Sequence, residues 1–309
     1  MKIGFLFPGQ GAQSVGMGKD LYDKYEEYKK VYEYAENLTG VDIANLTFNS
    51  TEEDLGQTKN TQICILTMSL AILKLLEKNG IKADSAIGLS LGEYSALVSS
   101  RAISFEDGIK VVKRRGELMQ TLCPKGDWSM AAILGLEEKD VIEVCEKTEG
   151  FVVPANFNCP GQIVISGEKE AVNKAMEKMK DAGAKRALEL KTSGPFHTEK
   201  LEDASNELRN ELEKITINNF NHKVIKNLDG KEYSDTDDIK DILAKHITNP
   251  VKFEHGIREL LNKGIDTFIE IGPGKTLTGF VKKADKDVKT YNVNSVDSFE
   301  NLLNELKNN

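Results

Sequence analysis

Short apolar runs that end in glycine or proline alternate with longer amphipathic stretches along this chain. The strand-like runs cover residues 2–7, 84–89, 223–227 and 267–271. The helical patterns between them cover residues 18–38, 61–77 and 103–122. Continuous apolar runs of this length are typical of strands that are buried on both faces, as in a parallel sheet covered by helices. The pattern therefore predicts an α/β domain assembled from both ends of the chain.

The middle of the chain follows a different order of elements. A strand, a helix, two strands, a helix and a strand are predicted over residues 128–134, 137–147, 151–156, 162–166, 169–182 and 185–190. This βαββαβ order is that of the ferredoxin-like, or split-βαβ, fold. We therefore predict a large α/β domain from residues 1–125 and 194–309, with a small ferredoxin-like domain inserted at residues 126–193.

Composition narrows the possible classes of function. The 309 residues suffice for about two domains, and the formal net charge of −8 argues against general nucleic-acid binding. The longest apolar stretch, residues 63–73, is too short to span a bilayer, and the apolar run at the N-terminus is too short for a signal peptide. Four cysteines without paired spacing indicate neither a zinc site nor a disulfide framework, and we expect a cytoplasmic location.

A serine lies at the predicted turn from a buried strand into a helix. Residues 88–92, Gly-Leu-Ser-Leu-Gly, match the G-x-S-x-G pattern of a nucleophile elbow, and a helical pattern follows over residues 93–98. Glycines on both sides leave room for the serine and for an approaching acyl group. The amide of Leu91 then faces a developing oxyanion at the helix N-terminus. The alternative interpretation is a tight turn that happens to contain Ser90.

A serine nucleophile needs a base, and the chain has four histidines. His246 and His255 fall on predicted helices, as surface or helix-end histidines, and His222 lies beside an Asn-rich loop. His197 lies where the small domain rejoins the large one, and clefts between domains are common places for sites. It is the candidate base for Ser90, with a solvated loop histidine as the alternative.

The third member of a triad is hard to find in this sequence. The aspartates between Ser90 and His197 fall on predicted helices of the insert or near the starts of helices and strands: Asp107, Asp127, Asp140 and Asp181. A backbone carbonyl could orient the imidazole instead, which departs from a standard hydrolase triad.

An arginine occupies an inward face of the helix predicted over residues 103–122. Arg115 shares an i, i+3, i+7 stripe with Gly108, Val111, Leu118 and Leu122. A buried arginine is rare unless it is paired. Arg115 therefore either pairs with a structural carboxylate or awaits an anionic substrate, and a carboxylate suits its parallel N–H donors.

Seven segments occur together in an order that resembles one family. They are Phe7-Pro-Gly-Gln-Gly-Ala-Gln13, Gly88-Leu-Ser-Leu-Gly-Glu-Tyr-Ser95, Arg115-Gly116, Asn156-Phe-Asn-Cys-Pro-Gly-Gln162, Gly194-Pro-Phe-His197, Asn249-Pro-Val251 and Glu270-Ile-Gly-Pro-Gly-Lys275. The set covers nearly the whole chain and strongly resembles the bacterial malonyl-CoA:acyl carrier protein transacylases. The resemblance implies an α/β-hydrolase-like core with a parallel sheet and a ferredoxin-like insert, which agrees with the pattern above.

The resemblance also implies catalytic roles for matching positions. Ser90 carries the acyl group, and His197 acts as general base and acid. The carbonyl of Asn249 orients the imidazole in place of an aspartate. The backbone amides of Gln10 and Leu91 form the oxyanion hole.

The implied substrate-binding residues are Arg115, which holds the free carboxylate of malonate, and Gln62 and Met119 beside it. Two positions depart from the family pattern. Leu89 stands where the family usually has histidine, which removes a polar group next to the nucleophile. Residues 198–201, Thr-Glu-Lys-Leu, lack the methionine that often follows the base, so the contacts flanking His197 are expected to differ.

The implied reaction is ping-pong acyl transfer from malonyl-CoA to the phosphopantetheine thiol of acyl carrier protein, in fatty acid synthesis. It needs no metal or redox cofactor, and we expect a monomer that binds neither nucleic acid nor membranes. Because such carriers are usually acidic, docking requires a local basic patch. The candidates are a first basic cluster, Lys110, Lys113 and Arg114, and a second basic cluster, Lys178, Lys180, Lys185 and Arg186.

Three other functions remain open at this point. A serine hydrolase shares the elbow but gives no reason for an inward Arg115 or for the missing aspartate. An acyltransferase for another group, such as methylmalonyl, is less favoured, because the family resemblance implies that Phe196 before the base would crowd an extra methyl group. A carrier-protein docking module without catalysis is disfavoured by the intact Ser90 and His197.

Overall fold

Two β-sheets organise the chain in this computed structural model, which describes residues 1–192 and 194–307. The strands are β1 (Ile3–Phe7), β2 (Ser85–Gly88), β3 (Trp128–Leu134), β4 (Val152–Cys159), β5 (Gln162–Glu168), β6 (Arg186–Glu189), β7 (Lys223–Val224), β8 (Thr267–Ile271) and β9 (Lys289–Val293). The α-helices are α1 (Lys19–Lys24), α2 (Glu26–Thr39), α3 (Ile43–Phe48), α4 (Glu52–Gly56), α5 (Thr58–Lys78), α6 (Gly92–Ser99), α7 (Phe105–Thr121), α8 (Glu138–Glu146), α9 (Lys169–Asp181), α10 (Glu202–Glu213), α11 (Ile239–His246), α12 (Phe253–Asn262), α13 (Thr276–Ala284) and α14 (Val296–Lys307).

The larger part of the fold is built on a parallel sheet with the strand order β7-β2-β1-β8-β9. Strands β1, β2 and β8 are buried along their whole length, which explains their continuous apolar sequences. The edge strands were harder to predict. Strand β7 has two residues instead of the five predicted over 223–227, and β9 was not predicted because its sequence, Lys-Thr-Tyr-Asn-Val, has no continuous apolar run.

Helix α5 forms the centre of the main hydrophobic core, against α2 and α7. It is longer than the predicted 61–77, and its length and composition alone would allow it to cross a membrane. The expectation that no apolar stretch is long enough is therefore wrong on length. However, 83% of its most apolar window is buried inside the fold, which is typical of the core helix of a globular protein.

The second sheet is antiparallel, with the strand order β4-β5-β3-β6. Its elements follow each other as βαββαβ, which confirms the predicted order for the middle of the chain. Side chains of β3 alternate between two environments, as the pleat requires. Ala131 and Ile133 pack with α8 and α9, whereas Met130 and Ala132 join the core of the larger part. The boundaries proposed for the two domains, 1–125 with 194–309 and 126–193, stay a prediction.

Candidate active site

The turn from β2 into α6 holds Ser90 in a strained conformation. Its φ of 53° lies in the left-handed region, which residues with a side chain rarely adopt. A Cβ on Gly88 would lie 1.9 Å from the carbonyl carbon of Gly92, and a Cβ on Gly92 would lie 2.0 Å from the carbonyl oxygen of Phe7. Only glycine fits at these two positions, so the tight turn depends on both of them.

The hydroxyl of Ser90 and the imidazole of His197 form a close pair, with 2.8 Å between Oγ and Nε2. On the other side of the ring, Nδ1 lies 3.0 Å from the carbonyl oxygen of His246 and 3.2 Å from that of Asn249. Because carbonyl oxygens only accept, Nδ1 carries the proton and Nε2 is free to accept one from the serine. The carbonyl of Asn249 lies where the resemblance implied, and that of His246 is an addition.

Burial controls the protonation of the candidate base. His197 is 4% exposed, and burial, together with the charge of Arg115, lowers its pKa to about 4, although the two carbonyl contacts act in the opposite direction. The imidazole is therefore neutral at neutral pH, which is the form that a general base requires.

Arg115 is buried, with 1% of its surface exposed, as its position in the apolar stripe predicted. Its Nη2 donates to Oγ of Ser90 at 3.1 Å, and its Nη1 donates to Oε1 of Gln62 at 2.7 Å. The amide nitrogen of Gln62 in turn lies 3.4 Å from Sδ of Met119. The guanidinium also lies 5.4 Å from the ring centroid of Tyr94. The three predicted substrate-binding residues thus contact one another beside the nucleophile.

The charge of Arg115 has no ion-pair partner within the described ranges of the chain. Its Nε also lacks a hydrogen-bond acceptor there. Burial lowers the pKa of the guanidinium, opposed in part by Tyr94 and Glu93, but arginine stays charged in proteins. The first alternative for Arg115, a structural ion pair, is therefore not what the structure shows.

Close packing of α5 against α7 places Gln62 and Arg115 side by side. A Cβ on Gly116 would lie 2.9 Å from the Cα of Lys59 and 3.2 Å from the carbonyl oxygen of Thr58. The glycine that follows Arg115 therefore lets the two helix backbones approach each other. This approach brings Arg115 within reach of Gln62 on the facing helix.

The loop after β1 runs against the serine turn. A Cβ on Gly9 would lie 2.3 Å from the carbonyl oxygen of Leu89, so the two backbones are in contact next to Gln10. Where the chain is described, the backbone amides of Gln10 and Leu91 have no protein acceptor. Two free amides beside a nucleophile suit an oxyanion, so the assignment of these residues as oxyanion donors stays a prediction consistent with their surroundings.

The structure adds four buried polar residues behind the site that the sequence reasoning missed: Glu93, Asn227, Tyr233 and His246. Of the two alternatives given for His246, a surface or a helix-end position, the structure shows the second, because His246 ends α11 and is fully buried. Its ring lies 5.1 Å from that of His197 because the end of α11 supplies the carbonyls that hold the base. A signal was available for Glu93, which is an acidic residue in an otherwise uncharged helix, Gly92–Ser99.

The other two histidines lie outside the site. His222 forms a hydrogen bond with Oγ of Ser99 at 3.0 Å, and His255 is half-buried beside Glu138.

Residues 198–201, which depart from the family pattern, follow His197 directly. The hydroxyl of Thr198 donates to the carbonyl of Pro195 at 2.7 Å. It also caps a short 3₁₀ turn over Glu199–Leu201, in which Leu201 is buried.

A cavity of about 420 Å³ lies against His197. Its walls come from the antiparallel sheet, the segment after His197 and the segment after α11, and they include Phe151, Phe157, Thr198 and Asn249. It is large enough for an extended, narrow substrate chain to reach the imidazole of His197.

The two basic clusters differ in their charge pairing. In the first basic cluster, Lys110 pairs with Glu106, and Lys113 and Arg114 both pair with Glu117. In the second, no ion pair involves Lys180, Lys185 or Arg186 among the residues described, and Lys178 donates to a backbone carbonyl. Leu188 and Leu190, beside Arg186, are exposed apolar side chains. None of the four cysteines forms a disulfide bond, and the described residues contain no group of three or more potential metal ligands.

Comparisons with known proteins show the family to which the chain belongs. A model of the acyl transferase domain family matches residues 4–299. The malonyl CoA-acyl carrier protein transacylase of Bacillus subtilis is 42% identical over 309 residues, which cover 99% of this chain and 98% of the relative. That of a Staphylococcus aureus strain is 39% identical over 299 residues, or 96% of each chain.

Solved structures give the same result. The malonyl CoA-acyl carrier protein transacylase of Clostridium perfringens superposes with a TM-score of 0.95 at 47% identity, covering 100% of this chain and 98% of the other. A malonyl-transacylase in complex with a type II polyketide synthase acyl carrier protein superposes with a TM-score of 0.95 at 35% identity, covering 99% and 100%. The chain therefore belongs to the acyl transferase domain family and, within it, to the malonyl-CoA:acyl carrier protein transacylases.

Proposed function

We propose that this chain transfers the malonyl group from malonyl-CoA to the phosphopantetheine thiol of acyl carrier protein, through an acyl-enzyme on Ser90, and so supplies fatty acid synthesis. The observation that carries the proposal is the convergence of two groups on Oγ of Ser90, with the imidazole of His197 at 2.8 Å and the guanidinium of Arg115 at 3.1 Å. A serine–histidine pair performs acyl transfer, and an unpaired buried guanidinium favours an acyl group that carries a carboxylate.

The first half-reaction forms the acyl-enzyme. Oγ of Ser90 attacks the thioester carbon while Nε2 of His197 takes the hydroxyl proton. The amides of Gln10 and Leu91 stabilise the oxyanion, and one such donor is typically worth about 10²–10³ in rate. The carbon–sulfur bond then breaks, and the imidazolium returns its proton to the leaving thiolate of coenzyme A.

The second half-reaction repeats these steps with the carrier. The pantetheine thiol gives its proton to Nε2 of His197, and its sulfur attacks the ester carbon on Ser90. When the second oxyanion collapses, the bond to Oγ breaks and Oγ recovers the proton. The carbonyls of His246 and Asn249 hold Nδ1–H throughout, so that Nε2 always faces the reacting atoms.

Arg115 couples substrate selection to the strength of the base. The carboxylate carbon of a malonyl ester is three bonds from Oγ, so it falls beside the guanidinium that touches Oγ in the free protein. When the carboxylate binds, it neutralises the charge that helps to lower the pKa of His197. The imidazole therefore becomes a stronger base when an acyl group with a carboxylate is bound.

We further propose that the cavity against His197 receives the pantetheine arm of both substrates. Two lysines contact aromatic rings that line it. Nζ of Lys200 lies 4.4 Å from the ring centroid of Phe151, and Nζ of Lys252 lies 3.6 Å from that of Phe157. Lys252 also pairs with Glu138 and Lys200 with Glu199, so these side chains give the cavity a polar edge without a net positive charge.

Several finer statements belong to the same proposal. The core is α/β-hydrolase-like, with the nucleophile after the strand β2 of a parallel sheet, and the protein works as a cytoplasmic monomer without metal, redox cofactor or membrane. The mechanism supports the absence of a cofactor, because acid–base and nucleophilic groups supply every step. The burial of α5 supports a location away from the bilayer.

The test is steady-state transfer from malonyl-CoA to holo-acyl carrier protein, with both concentrations varied. We expect the parallel double-reciprocal lines of a ping-pong reaction and little hydrolysis of neutral esters. Rapid ester hydrolysis without thiol-dependent transfer would instead favour a serine hydrolase. Transfer of methylmalonyl as fast as malonyl would contradict the restriction attributed to Phe196.

A further inference from the structure

A buried polar network lies behind Ser90 and His197, and of its groups only the backbone carbonyl of His246 takes part in the steps above. It consists of Glu93, Asn227, Tyr233 and His246, of which the most exposed, Tyr233, is only 5% exposed. Burying polar and charged side chains costs free energy even when they are hydrogen-bonded to one another. A network of this kind beside a catalytic pair therefore invites a functional explanation.

The side chain of Asn227 holds the serine turn on both sides. Its Oδ1 accepts the backbone N–H of Ser90 at 2.7 Å, and its Nδ2 donates to the carbonyl of Gly88 at 2.7 Å. The left-handed φ of Ser90 is strained and persists only where the surroundings hold it. These two hydrogen bonds provide that restraint at the residue that carries the nucleophile.

Glu93 in turn holds Asn227. Its Oε2 accepts the backbone N–H of Asn227 at 3.2 Å, and its Oε1 accepts the hydroxyl of Tyr233 at 2.6 Å. Glu93 lies in the first turn of α6, three residues after Ser90, so its carboxylate ties the nucleophile helix to the segment after β7.

The same carboxylate reaches the support of the base. Oε2 of Glu93 lies 3.1 Å from Nδ1 of His246, although outside the direction of a hydrogen bond, so the pair is a polar contact. The carbonyl of His246 accepts Nδ1–H of His197. One carboxylate therefore contacts both the residue that fixes the nucleophile and the residue that fixes the base.

We infer that Glu93 and Asn227 are positioning residues that fix Oγ of Ser90 relative to the imidazole of His197. Glu93 supplies indirectly the orientation that the aspartate of a hydrolase triad supplies by direct contact. Neither residue touches the reacting atoms. The inference rests on the proposed function, because it takes Ser90 as the nucleophile.

The experiment measures the rate of malonyl-Ser90 formation by rapid quench and intact-mass analysis at increasing malonyl-CoA. In Glu93→Gln an amide replaces a carboxylate that is surrounded by donors, and in Asn227→Asp the donor to Gly88 is lost. We expect the maximal acylation rate to fall by about tenfold to a hundredfold in each, as for a misplacement of about 1 Å. The half-saturating concentration should stay within about threefold of wild type, because neither substitution removes a hydrogen bond of Arg115.

Glu270→Gln is the matched control. Glu270 is also a fully buried carboxylate, but it accepts the backbone amides of Leu277 and Thr278, away from the site. A general effect of neutralising a buried carboxylate appears in both variants as a lower unfolding midpoint. When rates are expressed per folded molecule, only Glu93→Gln should acylate more slowly than wild type.

Tyr233→Phe keeps the inference testable if the other variants do not fold, since it removes a single hydroxyl. We expect a loss of about threefold in maximal rate, again with little change in half-saturation. Maximal rates within twofold of wild type in the folded variants would overturn the inference and leave the proposed function standing. Failure of the wild-type protein to form malonyl-Ser90 would instead overturn the proposed function.

Discussion

Nη2 of Arg115 donates a hydrogen bond to Oγ of Ser90 across 3.1 Å, so the buried cation contacts the nucleophile itself. Its Nη1 donates to Gln62, and the rest of the guanidinium is enclosed. In the proposed reaction, the substrate carboxylate binds the same guanidinium that contacts the nucleophile. Substrate selection and nucleophile activation share one small volume, and the predictions below follow from this arrangement.

Removing the guanidinium should slow acylation by acyl groups that carry a carboxylate much more than acylation by uncharged ones. In Arg115→Ala we expect acylation by malonyl-CoA to slow by about 10²–10³-fold, the usual effect of losing one partner of a buried charge pair. Acylation by acetyl-CoA should change much less, because acetyl has no carboxylate. The two rates are compared by intact-mass analysis at matched concentrations.

Arg114→Ala is the control for this substitution. Arg114 is the next residue on the same helix, but its charge pairs with Glu117 and Glu211 at the surface. It should leave both acylation rates nearly unchanged. Equal losses for malonyl and acetyl in Arg115→Ala would identify a structural arginine instead.

The acid limb of the pH profile should depend on Arg115. His197 must be neutral to act as a base, and its pKa is lowered to about 4 by burial and by Arg115. The loss of activity caused by protonation of His197 should therefore come only as the pH approaches 4. Burial raises the pKa of Glu93 to about 7, so protonation of that carboxyl group should cause a separate, partial loss of activity at higher pH. In Arg115→Gln the effect of the guanidinium charge is lost, so the pKa of His197 rises and the acid limb that it causes moves to higher pH. Acetyl-CoA is the substrate for this measurement, and an unmoved limb would show that Arg115 does not influence the base.

The serine turn should not tolerate a methyl group at Gly92. A Cβ there would lie 2.0 Å from the backbone oxygen of Phe7, which cannot move without shifting β1. Gly92→Ala should lower the free energy of unfolding by about 1–3 kcal/mol or more and abolish acylation. Urea unfolding and intact-mass analysis measure the two effects.

Gly279→Ala provides the comparison for Gly92. Gly279 lies in α13 with no atom within 4 Å of an added Cβ. The substitution should raise the free energy of unfolding by about 0.5–1 kcal/mol, as expected for alanine in a helix. A stable, active Gly92→Ala protein would contradict the described approach of β1 to the turn.

How much of this the sequence predicts depends on how local each signal is. Ser90 lies in a strand–turn–helix motif, and Arg115 interrupts a helical stripe, so both are visible within a short window. The orientation of His197 cannot be seen in a short window of sequence, because it depends on backbone carbonyls, which every residue has. Asn227 lies 137 residues from Ser90, and only the tertiary fold brings them together. His246 has the sequence context of an ordinary helix end, although it is buried at the site.

Docking of the carrier should depend on the second basic cluster more than on the first. The charges of the first are paired with neighbouring glutamates, whereas Lys185 and Arg186 keep theirs beside the exposed Leu188 and Leu190. Charge reversal at Lys185 and Arg186 should raise KM for acyl carrier protein at low salt, and high salt should reduce the difference. The half-reaction with malonyl-CoA should not change.

Reversal at Lys110 serves as the comparison, because its charge is already paired with Glu106. The docking prediction is wrong if reversal at both clusters leaves transfer to the carrier unchanged at low salt.

The most direct measurement is intact-mass spectrometry of the protein mixed with malonyl-CoA, followed by peptide mapping of the modified residue. The account predicts one malonyl ester, located on Ser90, that disappears when a pantetheine thiol is added. Absence of any ester, or an ester on another residue, would contradict it.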